Sequence, residues 1–380
     1  MTSATTPSDR AAHLVGSTPF ADTAEAIDIF ADKLGPFLRN VPDGETGSRK
    51  NWIQILIQSF FDNPDLESKK GGPDDFDYSD YDRTPSFKVR SGHRLTGDSF
   101  DFGYLSAFRE SWPEFAKRRD AFHPPGNGVQ PRFQVGIPGD LDLAVSSFGS
   151  PIAGIRNRDA FRDATVRDIR AIHAEAGDDV VFQVEIPVEL VALTRIPGFL
   201  HGPVTGYLSG GVARLAREAP EGSRWGIHLC LGDFNHRAMG RLPDVGPIVR
   251  MSNEIVKRWP AGRPLDFIHA PLAAAAEPPP LEPAFYEPLR GLNLPAGTRF
   301  VAGFVHESRT LEEHRTLMAQ IDDLVGHPAD IACSCGLGRR SREEALAIID
   351  TTAELLGGGP RREAFPIADA TPADATSAAV

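Results

Sequence analysis

His228 and Cys230 stand two residues apart in the apolar run Trp225-Gly-Ile-His-Leu-Cys230. Such a run reads as a strand, and residues i and i+2 of a strand share one face. The imidazole and the thiol therefore converge on one point. Both are good zinc ligands, and a soft thiolate favours zinc over magnesium or calcium. Cys335 offers a third ligand from the distant segment Cys333-Ser-Cys335-Gly-Leu-Gly-Arg339, with Cys333 as the alternative on the same strand face. Three ligands from two strand ends, with a fourth position open, is the pattern of a catalytic Zn²⁺ site.

Polar residues at the ends of other apolar runs extend the set. Buried parallel strands are apolar almost throughout, so polar residues at their C-terminal ends are informative. Ser17 ends the first run, Asp43 and Glu45 follow the second, and Asp140 follows the third. Glu185 lies in the fourth run, His269 ends the sixth and His306 the seventh. Taken singly, each reads first as a helix cap or a satisfied core residue; the repeated placement points to a shared site. His269 is expected as a fourth zinc ligand, or else as a group that stands off the metal and bonds substrate. His306 is the expected general acid, since imidazole titrates near neutrality. Asp43, Glu45 and Glu185 suit a cationic or amino group, and Arg339 or Arg340 a carboxylate or phosphate.

Eight apolar runs, near 13–17, 37–41, 133–137, 180–186, 225–230, 265–269, 300–306 and 331–335, are expected to form the strands that position these groups. Helical patterns fall between most of them, at 23–34, 158–175, 245–258, 310–324 and 342–356. This alternation is that of an α/β fold with a parallel sheet, and eight such units make a (β/α)₈ TIM barrel, whose active site lies at the C-terminal strand ends. A doubly wound nucleotide-binding sheet would need a Gly-rich turn after the first strand, and Gly16-Ser17-Thr18-Pro19 is not one. The barrel is expected over 12–357, with a long insertion after the second strand at 51–131. That insertion carries aromatic and acidic stretches at 76–81 and 97–103 and reads either as a lid or as a surface loop with a packing helix at 104–122. Residues 1–11 and 358–380 read as flexible tails.

Composition narrows the classes. The chain has 380 residues, and 40 Lys and Arg against 52 Asp and Glu leave a net charge of −12 without a dense basic run. Nucleic acid is therefore not an expected partner. No apolar stretch approaches the ~20 residues of a membrane span. The first residues lack the basic-then-apolar order of a signal peptide, and three cysteines do not make a disulfide framework. A cytoplasmic protein is expected.

With these residues in view, the sequence resembles the C-terminal catalytic barrel of cobalamin-independent methionine synthase. His228-x-Cys230 followed by Asp233-Phe-Asn235, and the late Cys335-Gly-Leu-Gly-Arg339, are similar to that family's zinc-binding segments. His13-Leu-Val-Gly-Ser17 with Pro19, Phe182-Gln-Val-Glu-Ile-Pro187 and Val305-His306 are similar to its other strand motifs. Pro42-Asp-Gly-Glu-Thr-Gly47 and Phe267-Ile-His-Ala-Pro271 look closer to a further single-barrel branch of the superfamily that joins methionine synthase with uroporphyrinogen decarboxylase. The resemblance implies a zinc-dependent methyl- or alkyltransferase. Its substrates would be a small-molecule thiol and an alkyl donor, a folate among the candidate donors. Two departures stand out: His269 replaces a ligating glutamate after the sixth strand, and Glu185 replaces an aspartate that holds the substrate's amino group. Two other readings stay open on the same barrel, a metal-free decarboxylase-like lyase and a non-catalytic ligand-binding protein.

Overall fold

The computed structural model describes residues 10–75, 77, 83–122 and 130–357. The expected tails at 1–9 and 358–380, and most of the acidic stretch at 76–81, lie outside the described residues. Arg10 and Ala11, expected in the tail, belong to the fold: Arg10 pairs with Asp322, and the Ala11 N–H donates to Asp330 Oδ1 at 2.7 Å.

Eight parallel strands among the described residues close into a barrel: β1 (Ala12–His13), β2 (Asn40–Pro42), β3 (Arg132–Pro138), β4 (Val180–Ile186), β5 (Arg224–Leu229), β6 (Leu265–Pro271), β7 (Arg299–Val305) and β8 (Asp330–Cys333). The hydrogen-bonded order runs β1-β8-β7-β6-β5-β4-β3-β2, and a parallel bridge between Ala12 and Leu38 joins the two ends. The fold is thus the expected (β/α)₈ TIM barrel. β1 and β2 are shorter than their apolar runs: β1 ends at His13, and the second run begins in the 3-10 turn Gly35–Phe37, with β2 starting at Asn40.

Period-two alternation sorts each strand into an outer and an inner face. Phe182, Val184, Ile227, Ile268 and Phe304 are buried against the surrounding helices. The opposite face carries Val181, Gln183 and Glu185 on β4, Gly226 and His228 on β5, and Phe267 and His269 on β6. Val181, Phe267, Val301 and Ala332 form a small apolar cluster separate from the main core. It floors the interior, and the polar residues lie above it.

The helices start where the sequence places caps. Asp22 accepts from the Glu25 N–H ahead of Thr23–Leu34, and Thr310 with Glu313 and Ser341 with Glu344 form capping boxes. Asp140 opens the helix Asp140–Phe148 and is bound by Arg158 at 2.7 Å, so it serves the wall rather than the site. Between β2 and β3 run the helices Trp52–Ser59 and Tyr104–Arg118 and an antiparallel hairpin, Leu66–Lys70 with Ser86–Val89. Phe60, Phe100 and Phe102 pack around Phe161 of the helix Pro151–Ala176, which commits this aromatic part of the connection to the outer wall. No described helix is long and apolar enough to cross a membrane.

Candidate metal centre

β5 carries His228 into the barrel interior, where it is fully buried, and Cys230 follows just past the strand end. Cys335 comes from the turn after β8. That turn packs closely on Ser17: a Cβ on Gly336 would lie 2.3 Å from Ser17 Oγ and 3.2 Å from its backbone nitrogen, so a larger residue would have to displace the Ser17 hydroxyl. The two sulfurs are 3.8 Å apart, and Cys335 Sγ is 3.8 Å from His228 Nε2. The three donor atoms lie within 4.8 Å of one another and are the one such group among the described residues. Tetrahedral zinc with bonds of ~2.3 Å to sulfur and ~2.0 Å to nitrogen needs separations of about 3.8 and 3.6 Å. The donor types suit zinc, and the sulfur–sulfur and Cys335–His228 separations are close to that spacing. Cys333 is not in the group.

His269 is not in it either. Its Nε2 lies 3.0 Å from the Cys333 carbonyl oxygen, which only accepts, so Nε2 carries the proton. Nδ1 is then a lone pair, 2.7 Å from His228 Nδ1. His228 must donate from Nδ1, which leaves the lone pair of its Nε2 pointing at the sulfurs. The expected fourth ligand is displaced by one shell. The reason is register: His228 and His269 are direct partners on adjacent strands, so their rings lie side by side at one level while the sulfurs stand above. Gly303 makes room for this ring, since a Cβ there would lie 2.7 Å from His269 Nε2. Burial holds His269 well below the usual imidazole range, with the charges of His228 and His13 acting the same way.

The hydrogen bond from Cys230, then burial, pushes the Cys335 thiol well above its usual range. Without a cation, two adjacent thiolates are disfavoured.

Glu45 and Glu185 also face each other. Glu45 sits at φ 38° in the tight turn after β2, and its carboxylate rests over Gly16 and Gly136, where a Cβ would come within 2.9 and 2.8 Å of Oε1. Burial, then the Asp43 charge, raises Glu45 to about 7. Burial, then Glu45 and Cys335, pushes Glu185 well above the carboxylate range. The pair retains a proton at neutral pH. Asp43 builds the turn, accepting from the Glu45 N–H at 2.9 Å and from Arg49 at 2.6 Å. Arg339 Nη1 reaches Ser17 Oγ at 3.5 Å, on the side of Glu45.

His306 is engaged elsewhere. Its Nε2 donates to the Ala275 carbonyl at 3.0 Å, and its Nδ1 accepts from the Ser308 N–H at 3.1 Å. Burial lowers its basicity. Both ring nitrogens thus meet backbone groups, and the ring ties the loops after β6 and β7.

Sequence reasoning missed His13 and Gln183. His13 Nε2 meets Gln183 Oε1 at 3.0 Å, and Gln183 Nε2 reaches both the Val15 carbonyl at 2.7 Å and Glu185 Oε1 at 3.3 Å. Burial lowers His13 to about 3, so it is neutral. The available signal was Gln183 at period two from Glu185, a polar residue inside an otherwise apolar strand.

No protein-family model matches the sequence, and no curated protein does. Solved structures do. The chain is similar to a putative vitamin-B12-independent methionine synthase from Listeria monocytogenes, with TM-score 0.53 and 12% identity over 92% of this chain and 98% of that one. It is likewise similar to a B12-independent methionine synthase from a Shewanella species, solved in complex with selenomethionine, with TM-score 0.55 and 13% identity over 91% and 97%. The shared feature is the barrel fold. Coverage of both neighbours is nearly complete, so neither has a second barrel left unmatched.

Proposed function

We propose that this chain is a zinc-dependent methyl- or alkyltransferase that activates a small-molecule thiol as a zinc-bound thiolate. One observation carries the reading. Two sulfurs and an imidazole nitrogen converge within 4.8 Å of one another, while His269 bonds His228 and the Cys333 carbonyl instead and would leave a fourth position to substrate. His228, Cys230 and Cys335 would hold the ion. Zinc there would supply the Lewis acidity that makes a thiolate at neutral pH.

The chain's own residues arrange the rest. Glu45 and Glu185 face the same space as Cys335, so they receive an ammonium on the thiol substrate or return their shared proton to the leaving group of the alkyl donor. This role passes to them from His306, whose two nitrogens are committed. Arg339 and Ser17 supply donors to a carboxylate on the same substrate. The names of the two structural neighbours, and the selenomethionine bound to one of them, support thioether chemistry on such a barrel. A metal-free lyase would need several unengaged arginines, whereas Arg49 pairs with Asp43 and Arg340 with Glu307.

The test is metal analysis of the purified protein. About one zinc per chain is expected, and Cys230→Ser should lose most of it while the barrel stays folded, because the core lies below the site. Wild-type protein that carries no zinc and takes none up on reconstitution would overturn the reading.

A further inference from the structure

Beyond the donor atoms, the two loops that carry the cysteines are joined by a chain of polar contacts, in which Arg340 is buried and Glu307 and His236 are partly exposed. After Cys230 the backbone forms a small hairpin, Asp233–Phe234 against Arg237–Ala238, closed by Asn235 and His236, both with positive φ. This two-residue turn fixes the direction in which His236 projects. His236 Nε2 lies 3.2 Å from Glu307 Oε1, beyond β7. The other oxygen of Glu307 accepts from Arg340 Nε at 2.9 Å. Arg340 stands five residues after Cys335, and His236 six after Cys230. The chain of contacts therefore closes from one cysteine loop to the other through the loop after β7.

Arg340 is an unusual member of this group. Its side chain has no exposed surface, yet Nη1 and Nη2 have no hydrogen-bond partner, and neither do the two carboxylate oxygens of Asp233 on the hairpin. A guanidinium is not kept dry without a strong reason, because removing its charge from water is costly. Glu307 repays part of that cost, and the charge of Asp233 acts from beyond ion-pair contact. Neither role involves substrate, which has no access to a side chain with no exposed surface.

We propose that Arg340, with Glu307 and His236, is a positioning device that sets the separation of Cys230 and Cys335. The proposal rests on the zinc reading given above. Each cysteine lies just past its strand, outside the hydrogen-bonded ladder, so contacts between the loops beyond the strands help to set the distance between the sulfurs. A bidentate-capable guanidinium anchored on a carboxylate resists sliding in a way an ammonium does not. Groups that orient metal ligands from behind change affinity without touching the ion.

The experiment uses the full chain loaded with Co²⁺, whose thiolate charge-transfer and ligand-field bands report the geometry of the sulfurs. Arg340→Lys, Glu307→Gln and His236→Gln are compared with wild type for metal affinity by chelator competition and for the cobalt spectrum. Apo-protein circular dichroism serves as a check on folding. The expected result is a ~10–100-fold loss of affinity in Arg340→Lys and Glu307→Gln, the range for groups behind metal ligands. A smaller loss is expected in His236→Gln, with altered cobalt bands in all three. Folded variants with wild-type affinity and spectra would overturn the clamp and leave the zinc reading standing. A wild-type chain that binds neither Co²⁺ nor Zn²⁺ would overturn both. If Arg340→Lys does not fold, the Glu307 and His236 variants decide the outcome.

Discussion

His228 Nδ1 lies 2.7 Å from His269 Nδ1, and the proton between them belongs to His228. The assignment follows from the far side of His269, where Nε2 must donate to the Cys333 carbonyl. A backbone oxygen on β8 thus selects, through two rings, which nitrogen of His228 is free for metal. This arrangement uses a neutral imidazole where a carboxylate would otherwise carry charge into the interior.

His269→Ala is accordingly expected to weaken zinc binding ~10–100-fold although His269 is no ligand, because the His228 ring loses its orienting partner. His306→Ala should leave zinc affinity within a few-fold of wild type, since His306 bonds Ala275 and Ser308. Chelator competition on both variants checks the contrast. Equal losses in the two would mean that the His228–His269 contact does not set the tautomer.

A second expectation concerns pH and lies away from the metal. Glu189 is fully buried at the start of the helix Pro187–Arg195, both its oxygens lack partners, and burial raises it from 4.5 to about 7. The folded protein then holds this proton more tightly than the unfolded chain. Its contribution to stability is complete below about pH 4.5, declines as the pH rises, and is lost above about 7. At ~1.4 kcal/mol per pKa unit, the loss is up to about 3 kcal/mol. Glu189→Gln should abolish that decline, gaining on wild type at pH 8 but not at pH 4. Urea unfolding at the two pH values measures it. Parallel pH dependence in the two proteins would refute the assignment.

Much of this was legible in the sequence, and the failures have physical causes. The apolar runs located all eight strands because a parallel barrel buries both faces of each strand. The pair His228 and Cys230 followed from period two alone. Period two could not choose between Cys333 and Cys335, since the chain leaves the ladder at Cys333 and turns before Cys335. Nor could adjacency of β5 and β6 decide the role of His269. Neighbouring strands bring two side chains together whether they converge on an ion or lie ring beside ring, and only register separates the cases. The helix His201–Glu218 went unread because Gly202, Gly206, Gly210 and Gly211 lower its propensity, and packing decides it instead. Strand-end position did not reveal that both ring nitrogens of His306 meet backbone groups.

Gly303 gives the sharpest link between the fold and the site. It sits on β7 beside His269, and a Cβ there would lie 2.7 Å from His269 Nε2, 2.7 Å from the Ala270 carbonyl oxygen and 3.0 Å from Ser334 Cα. Two of these neighbours are backbone, on β6 and just past β8, so they cannot step aside. The imidazole is the part able to yield, and yielding breaks its 3.0 Å bond to the Cys333 carbonyl. Gly303→Ala should therefore cost about 1–3 kcal/mol of stability, as overpacking of a filled interior does. It should also weaken zinc binding by releasing the His228 tautomer, although position 303 touches no ligand. Denaturant unfolding of the apo protein measures the first effect, and chelator competition the second. Combined with His269→Ala, the glycine substitution should weaken zinc binding little further, because both changes act through the same ring. Fully additive losses in the double variant would show that Gly303 supports the metal centre by another route.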